Sequence, residues 1–190
     1  MEKKTEDTMS KSTVRTAKAE ANATQKQQRH RVLDLFSGIG GFSVALRSVA
    51  DTVGYCEMDP HCLAVLNSRM ADGRIDTAPV FNDVRALSAG TVSRLRPDMV
   101  VGGFPCQDIS SSGQRAGLDG SKSSLFFEIV RLLRSVRSVQ HVLLENSPFI
   151  RTMGLPRVRA ALKEAGFAHV AYGYFTAVFK TSMGHLPILL

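Results

Sequence analysis

Five short stretches carry residue types able to do chemistry: Phe36 to Gly41, Glu57, Asn82-Asp83, Pro105-Cys106 and Glu145-Asn146. A thiolate attacks electron-poor carbon well once its surroundings lower the thiol pKa, so Cys106, behind a proline that fixes the chain direction, is the candidate nucleophile. A carboxyl such as Glu145 can hydrogen-bond or protonate a substrate base; its plainer reading is a strand-end acid that caps the next segment. The turn Gly38-x-Gly40-Gly41 lets backbone approach a ligand closely, and Glu57 follows where an acid accepts hydrogen bonds from ribose hydroxyls. These two features together point to a nucleoside-containing cofactor without saying which, because NAD-binding folds also place an acid about 20 residues after the first glycine. The full GxGxxG spacing is absent, since Phe42-Ser43 stands where a third glycine would be. Cys56 and Cys62 fall within an apolar strand and a helix and read as structural.

The elements that must position these residues alternate along the chain. Strands are expected at Arg31–Phe36, Thr52–Glu57, Val80–Asn82, Asp98–Gly103 and His141–Glu145, with a sixth at His169–Phe175. Helices are expected at Phe42–Ala50, from Asp59-Pro60 through Met70, at Ser88–Arg96, Ser123–Val136 and Leu155–Ala165, the last ended by Gly166. Such alternation specifies an α/β fold, a doubly wound and mostly parallel sheet, in which ligands bind outside the carboxyl ends of the strands. All five chemical stretches sit at those ends. Between Cys106 and the next helix, Asp108–Gly120 is a thirteen-residue polar connection with Gly113, Gly117 and Gly120. That is long for a compact domain and reads as a lid loop.

Composition sets the bounds. The 190 residues are 44% apolar, enough for one globular domain with a real core. No apolar run reaches the length of a membrane span and the N-terminus lacks a secretory signal, so an intracellular place is expected: cytoplasm and nucleoid, or a nucleus. Three cysteines without a CxxC pair argue against zinc, and no metal is expected. Of the net charge of +7, residues 1–31 supply +4, with eight Lys/Arg against four acids, so basicity alone is weak support for a polyanionic partner. Residues 1–30 are poor in bulky apolar side chains and read as a disordered basic arm.

Four motifs together resemble the C5-cytosine-specific DNA methyltransferase family across roughly Arg31–Gly173. Asp34-Leu35-Phe36-Ser37-Gly38-Ile39-Gly40-Gly41-Phe42 is similar to its first cofactor motif. Gly102-Gly103-Phe104-Pro105-Cys106-Gln107-Asp108-Ile109-Ser110 is similar to its catalytic motif, Leu125-Phe126-Phe127-Glu128 to its fifth, and Glu145-Asn146 to its ENV motif. The resemblance implies a Rossmann-like class I S-adenosylmethionine-dependent methyltransferase fold, C-terminally incomplete, over residues 31–175, with 176–190 an atypical tail. It implies S-adenosylmethionine held by Phe36, Ser37, Gly38, Ile39, Gly40, Glu57, Met58, Asp83, Pro105 and Leu125. Cys106 and Glu145 would be catalytic, the first adding to C6 of a cytosine flipped from double-stranded DNA, the second at N3. Ser110, Ser112 and Asn146 would contact the substrate.

Two departures stand out. The third residue of the ENV motif is Ser147, and after about Phe175 there is no Q-x-R-x-R motif and no target-recognition segment. The expected function is therefore DNA (cytosine-5-)-methyltransferase activity, alone or with a complementing C-terminal subunit. The alternatives are a non-catalytic remnant that binds cofactor or partner and, less favoured, an RNA cytosine-C5 methyltransferase.

Overall fold

The structure, a computed structural model, describes residues 29–104, 125–146, 150, 154–173, 176–181 and 184–189, the last two stretches by their backbone. Five parallel strands form the main sheet: β1 (His30–Leu35), β2 (Ala50–Cys56), β3 (Val80–Phe81), β4 (Met99–Gly103) and β5 (His141–Glu145), in the order β3-β2-β1-β4-β5. The chain winds outward from β1 through β2 to β3, then returns to β4 on the other side of β1. The switch point, and with it the crevice, therefore lies between the carboxyl ends of β1 and β4. The central position of β1 explains its composition: Val32, Leu33, Asp34 and Leu35 are all buried, the continuous run of a parallel strand covered on both faces.

Helices cover both faces. On one, α1 (Gly41–Leu46) brings Phe42 and Leu46 onto Val32 and Val101, while α2 (Pro60–Ala71) brings Leu66 onto Tyr55 and Ile75. On the other, α3 (Ala89–Leu95), α4 (Leu125–Ser135) and α5 (Leu155–Glu164) pack Val92, Phe126, Ile129, Leu132, Val158 and Leu162 against Leu33, Leu35 and Val100. The helix starts follow local chemistry. Asp59 caps α2 by accepting from the Cys62 N–H at 2.9 Å, with Pro60 in the first turn, and Ser88 caps α3 by accepting from the Thr91 N–H at 3.0 Å. No helix among the described residues is long and apolar enough to cross a membrane.

Two expected elements differ. The helix expected to run from Phe42 to Ala50 stops at Leu46, because Ala50 already belongs to β2, pairing with His30, and the His30 N–H is bonded to the Val49 carbonyl at 3.0 Å. Helical spacing of Val44 and Val49 was overridden by the register of the central strand pair. The sixth strand, expected at His169–Phe175, is not formed over residues 169–173. Instead β6 (Thr176–Thr181) and β7 (Gly184–Leu189) make an antiparallel pair separate from the main sheet.

Candidate active site at the carboxyl ends of the strands

Beyond β1 the backbone turns sharply: Phe36, Gly38 and Gly40 have φ of 55°, 54° and 85°. Phe36 bears a side chain in the left-handed region, a strain of about 1–2 kcal/mol that the surrounding packing must hold. At Gly38 a Cβ would meet nothing within 4 Å, so the glycine there serves the conformation and leaves the turn open to a ligand. The Ser37 side chain turns inward. Its hydroxyl donates to the Asp34 carbonyl at 2.7 Å and accepts from the Cys56 N–H at 3.1 Å, continuing the join of β1 to β2. Its backbone is engaged as well: the Ser37 N–H donates to the Cys56 carbonyl at 3.1 Å and its carbonyl accepts from the Gly40 N–H at 2.8 Å. Ile39 is exposed, and its carbonyl is anchored by the Arg69 guanidinium at 2.6 Å. Nothing in the sequence marks Arg69, which falls in the last turn of α2 outside any motif.

Glu57, just past β2, clasps this turn. Its carboxylate accepts from the N–H of Gly38 at 2.7 Å and from those of Met58 and Asp59 at 2.8 Å each. A carboxylate has about four acceptor positions, so about one remains for a hydroxyl donor. Met58 stands beside it, 63% exposed. Asp83, after β3, is engaged by Arg85, whose backbone N–H lies at 2.9 Å and whose guanidinium lies at 2.8 Å. Those hydrogen bonds hold the Asp83 carboxyl below its ordinary range. Any second partner of Asp83 competes with Arg85, a residue that no motif in the sequence marks. Leu125 opens α4, half-buried against the main core.

The second half of the site is the junction of β4 and β5. Gly103 and Glu145 are register partners, and a Cβ on Gly103 would lie 2.8 Å from Glu145 Oε2. The Glu145 carboxyl thus occupies the space that the missing side chain leaves, folded across the end of β4. Burial raises its pKa, which favours the neutral acid. Next to it, Asn146 Nδ2 donates to the Phe104 carbonyl at 2.7 Å, tying the end of β5 to the residue that precedes Pro105-Cys106. Pro105, Cys106, Ser110 and Ser112 lie outside the described residues. Of the other two thiols, burial pushes Cys56 up to about 12 and raises Cys62 as well, so neither supplies a thiolate near neutral pH. No group of His, Cys, Asp and Glu among the described residues could hold a metal ion.

One buried acid precedes the turn. Asp34 is fully buried in β1, and neither carboxyl oxygen has a hydrogen-bond partner among the described residues. Burial, and secondly the negative charge of Glu57, push its pKa up to about 8. A group that brings hydrogen-bond donors or positive charge to the turn would relieve it.

Residues 30–187 match the family model described as C-5 cytosine-specific DNA methylase. The Type II methyltransferase M2.BsuMI of Bacillus subtilis (strain 168) is 32% identical over 145 residues, covering 72% of this chain and 35% of that protein. The Type II methyltransferase M.CviJI of Paramecium bursaria Chlorella virus IL3A is 33% identical over 138 residues, covering 72% of this chain and 36% of that protein. The chain thus spans about a third of the length of these relatives. Among solved structures, the S. pombe Dnmt2 methyltransferase superposes with a TM-score of 0.55 at 23% identity, over 80% of this chain and 45% of that one, a likeness of fold.

Proposed function

Since the chain belongs to the C-5 cytosine-specific DNA methylase family, we propose that it carries the cofactor-binding and catalytic part of a DNA cytosine-C5 methyltransferase. In this reading Cys106 is the nucleophile and Glu145 the acid that faces the base. The observation that carries it is the β4–β5 junction. There a carboxyl whose pKa is raised by burial lies across Gly103, and Asn146 holds Phe104, two residues before Cys106. Double-stranded DNA is the proposed substrate.

The residues present fit S-adenosylmethionine. The turn is open at Gly38, Glu57 keeps about one acceptor position, and the Asp34 carboxyl, without a hydrogen-bond partner among the described residues, lacks what a cation supplies. Met58, Asp83, Pro105 and Leu125 are proposed to complete the pocket, with Asp83 shared between the ligand and Arg85. When bound, S-adenosylmethionine would supply an electrophilic methyl group and leave as the neutral thioether S-adenosylhomocysteine.

The chain's own residues do the rest. Cys106 Sγ, as thiolate, forms a bond to C6 of a cytosine turned out of the helix, and the electron pair of the 5,6 double bond moves toward C5. Glu145, neutral, gives its proton to N3 and so draws that pair through the ring. Once C5 carries the methyl group, the C5 proton leaves to a base, the Sγ–C6 bond breaks, and N3 returns its proton to Glu145. Ser110, Ser112 and Asn146 are proposed to contact the DNA, Asn146 through the strand end it already ties.

A substitution at the junction isolates the role of Glu145. Gly103→Ala puts a methyl group where Oε2 now lies, and the carboxyl must swing out. Methyl transfer is expected to fall by at least about 10²-fold, the scale of a lost general acid, with cofactor affinity unchanged by more than a few fold. Equal loss of both would assign Gly103 to the pocket instead.

The reading as a whole is tested by incubating the chain with duplex DNA and tritium-labelled S-adenosylmethionine, alone and with a complementing C-terminal chain. Labelled 5-methylcytosine in the digested DNA supports it. Label in no base, or label only in RNA when both polymers are offered, overturns it.

A further inference from the structure

Asp34 takes no part in the catalytic sequence above. It sits in the middle of the central strand, paired in register with Tyr55 on one side and Val101 on the other, and it is fully buried. A carboxyl in such a place normally has hydrogen-bond partners; here both oxygens have none among the described residues. Three residues later the chain enters the turn, where the Ser37 hydroxyl bonds the carbonyl of Asp34 itself, and Glu57, which accepts from the Gly38 N–H of that turn, acts on the Asp34 carboxyl as a like charge.

Its charged surroundings are all of one sign. Just past β2 comes Glu57, which acts on it as a like charge, and from β2 the Tyr55 phenol, raised by burial first and then by the charges of Asp76, in the segment after α2, and of Asp34. On its face of the sheet β4 brings Val101 and α1 brings Phe42 and Leu46, none of which ionises. No cation among the described residues contributes to its titration. An acid so placed is neutral near pH 7, and it ionises when a positive charge arrives.

We propose that Asp34 is a buried proton-holding counter-ion for the cofactor, neutral in the empty domain and ionised when a cationic S-adenosylmethionine occupies the turn above it, so that cofactor binding releases a proton. This rests on the cofactor reading. The bond that breaks is the O–H of the Asp34 carboxyl; its proton passes to solvent, and the charge left on the acid balances the positive charge of the ligand. The direction with pH follows from the sign. Because the bound state holds one proton fewer, affinity rises with pH up to the free-state pKa of about 8 and levels off above it. Between the bound and free pKa values each pH unit is worth up to about tenfold in Kd.

The test is calorimetric titration of the whole chain with S-adenosylmethionine at pH 7, in two buffers of different ionisation enthalpy. Release of most of one proton is expected, together with a Kd that falls by about tenfold or more from pH 6 to pH 8. Asp34→Asn is expected to bind with no proton release and a flat pH profile. A second measurement needs no variant: the infrared carbonyl band of a protonated carboxyl should be lost when S-adenosylmethionine is added. Binding without proton release, or equal release by Asp34→Asn, overturns the proposal and leaves the cofactor reading standing. No binding of S-adenosylmethionine at any pH overturns both.

Discussion

Replacing Glu145 by glutamine is expected to slow methyl transfer by about 10²–10⁴-fold, the range for loss of a positioned acid, while leaving cofactor affinity and the fold in place. Glutamine keeps the shape and a hydrogen bond but has no proton to give. The junction makes the expectation specific: the carboxyl fills the space over Gly103, so an amide of nearly equal size fits there. The pH dependence carries a second sign. Burial raises the pKa of Glu145, so the competent neutral acid persists to higher pH than an ordinary glutamate would allow. Wild-type activity should therefore decline as pH rises through that raised value, and the decline should be missing from the residual activity of Glu145→Gln. Single-turnover rates across a pH series measure both. A variant within about threefold of wild type would remove Glu145 from the chemistry.

The second large effect concerns the empty domain rather than the reaction. The folded-state pKa of Asp34 is pushed from 3.8 to about 8, so the folded chain holds this proton more tightly than the unfolded one. Stability contributed this way is intact below pH 4, falls as pH climbs from about 4 to about 8, and then levels off. Full expression of the shift would cost about 1.4 kcal/mol per pH unit, on the order of 4 kcal/mol by pH 7. Asp34→Asn removes the ionisation and keeps the shape. Without cofactor, the variant is expected to gain on wild type steadily between pH 5 and pH 8 in urea unfolding. Parallel curves over that range would mean that Asp34 finds a partner in solution.

How far these features could be read beforehand differs from residue to residue. Elements set by local chemistry were legible: Asp59-Pro60 announces the start of α2, and the apolar spacing of Phe126, Ile129, Leu132 and Leu133 announces α4. The placing of Glu57 and Glu145 at strand ends was legible for the same reason. What depends on partners far along the chain was not. Glu57 reads as an acid for a ribose, and only the folded chain shows it bound to the N–H groups of Gly38, Met58 and Asp59. Asp83 gives no sign that Arg85 will compete for it. The end of α1 was misplaced because β-register outranked helical spacing. Asp34 did leave a trace, an acid inside the apolar run Val32–Phe36, but its lack of a hydrogen-bond partner among the described residues is a fact of packing on both sides of β1.

The central claim is that the strand ends bring a cytosine-attacking thiol to the methyl donor, and its most direct test is covalent. The chain, with S-adenosylmethionine and a complementing C-terminal chain, is incubated with duplex DNA containing 5-fluorocytosine, which cannot lose the C5 substituent and so leaves the enzyme bound. Peptide mass mapping is predicted to find the modified nucleotide on Cys106, and Cys106→Ser is predicted to give no adduct. An adduct on Cys56 or Cys62, or an undiminished adduct in Cys106→Ser, would contradict the account.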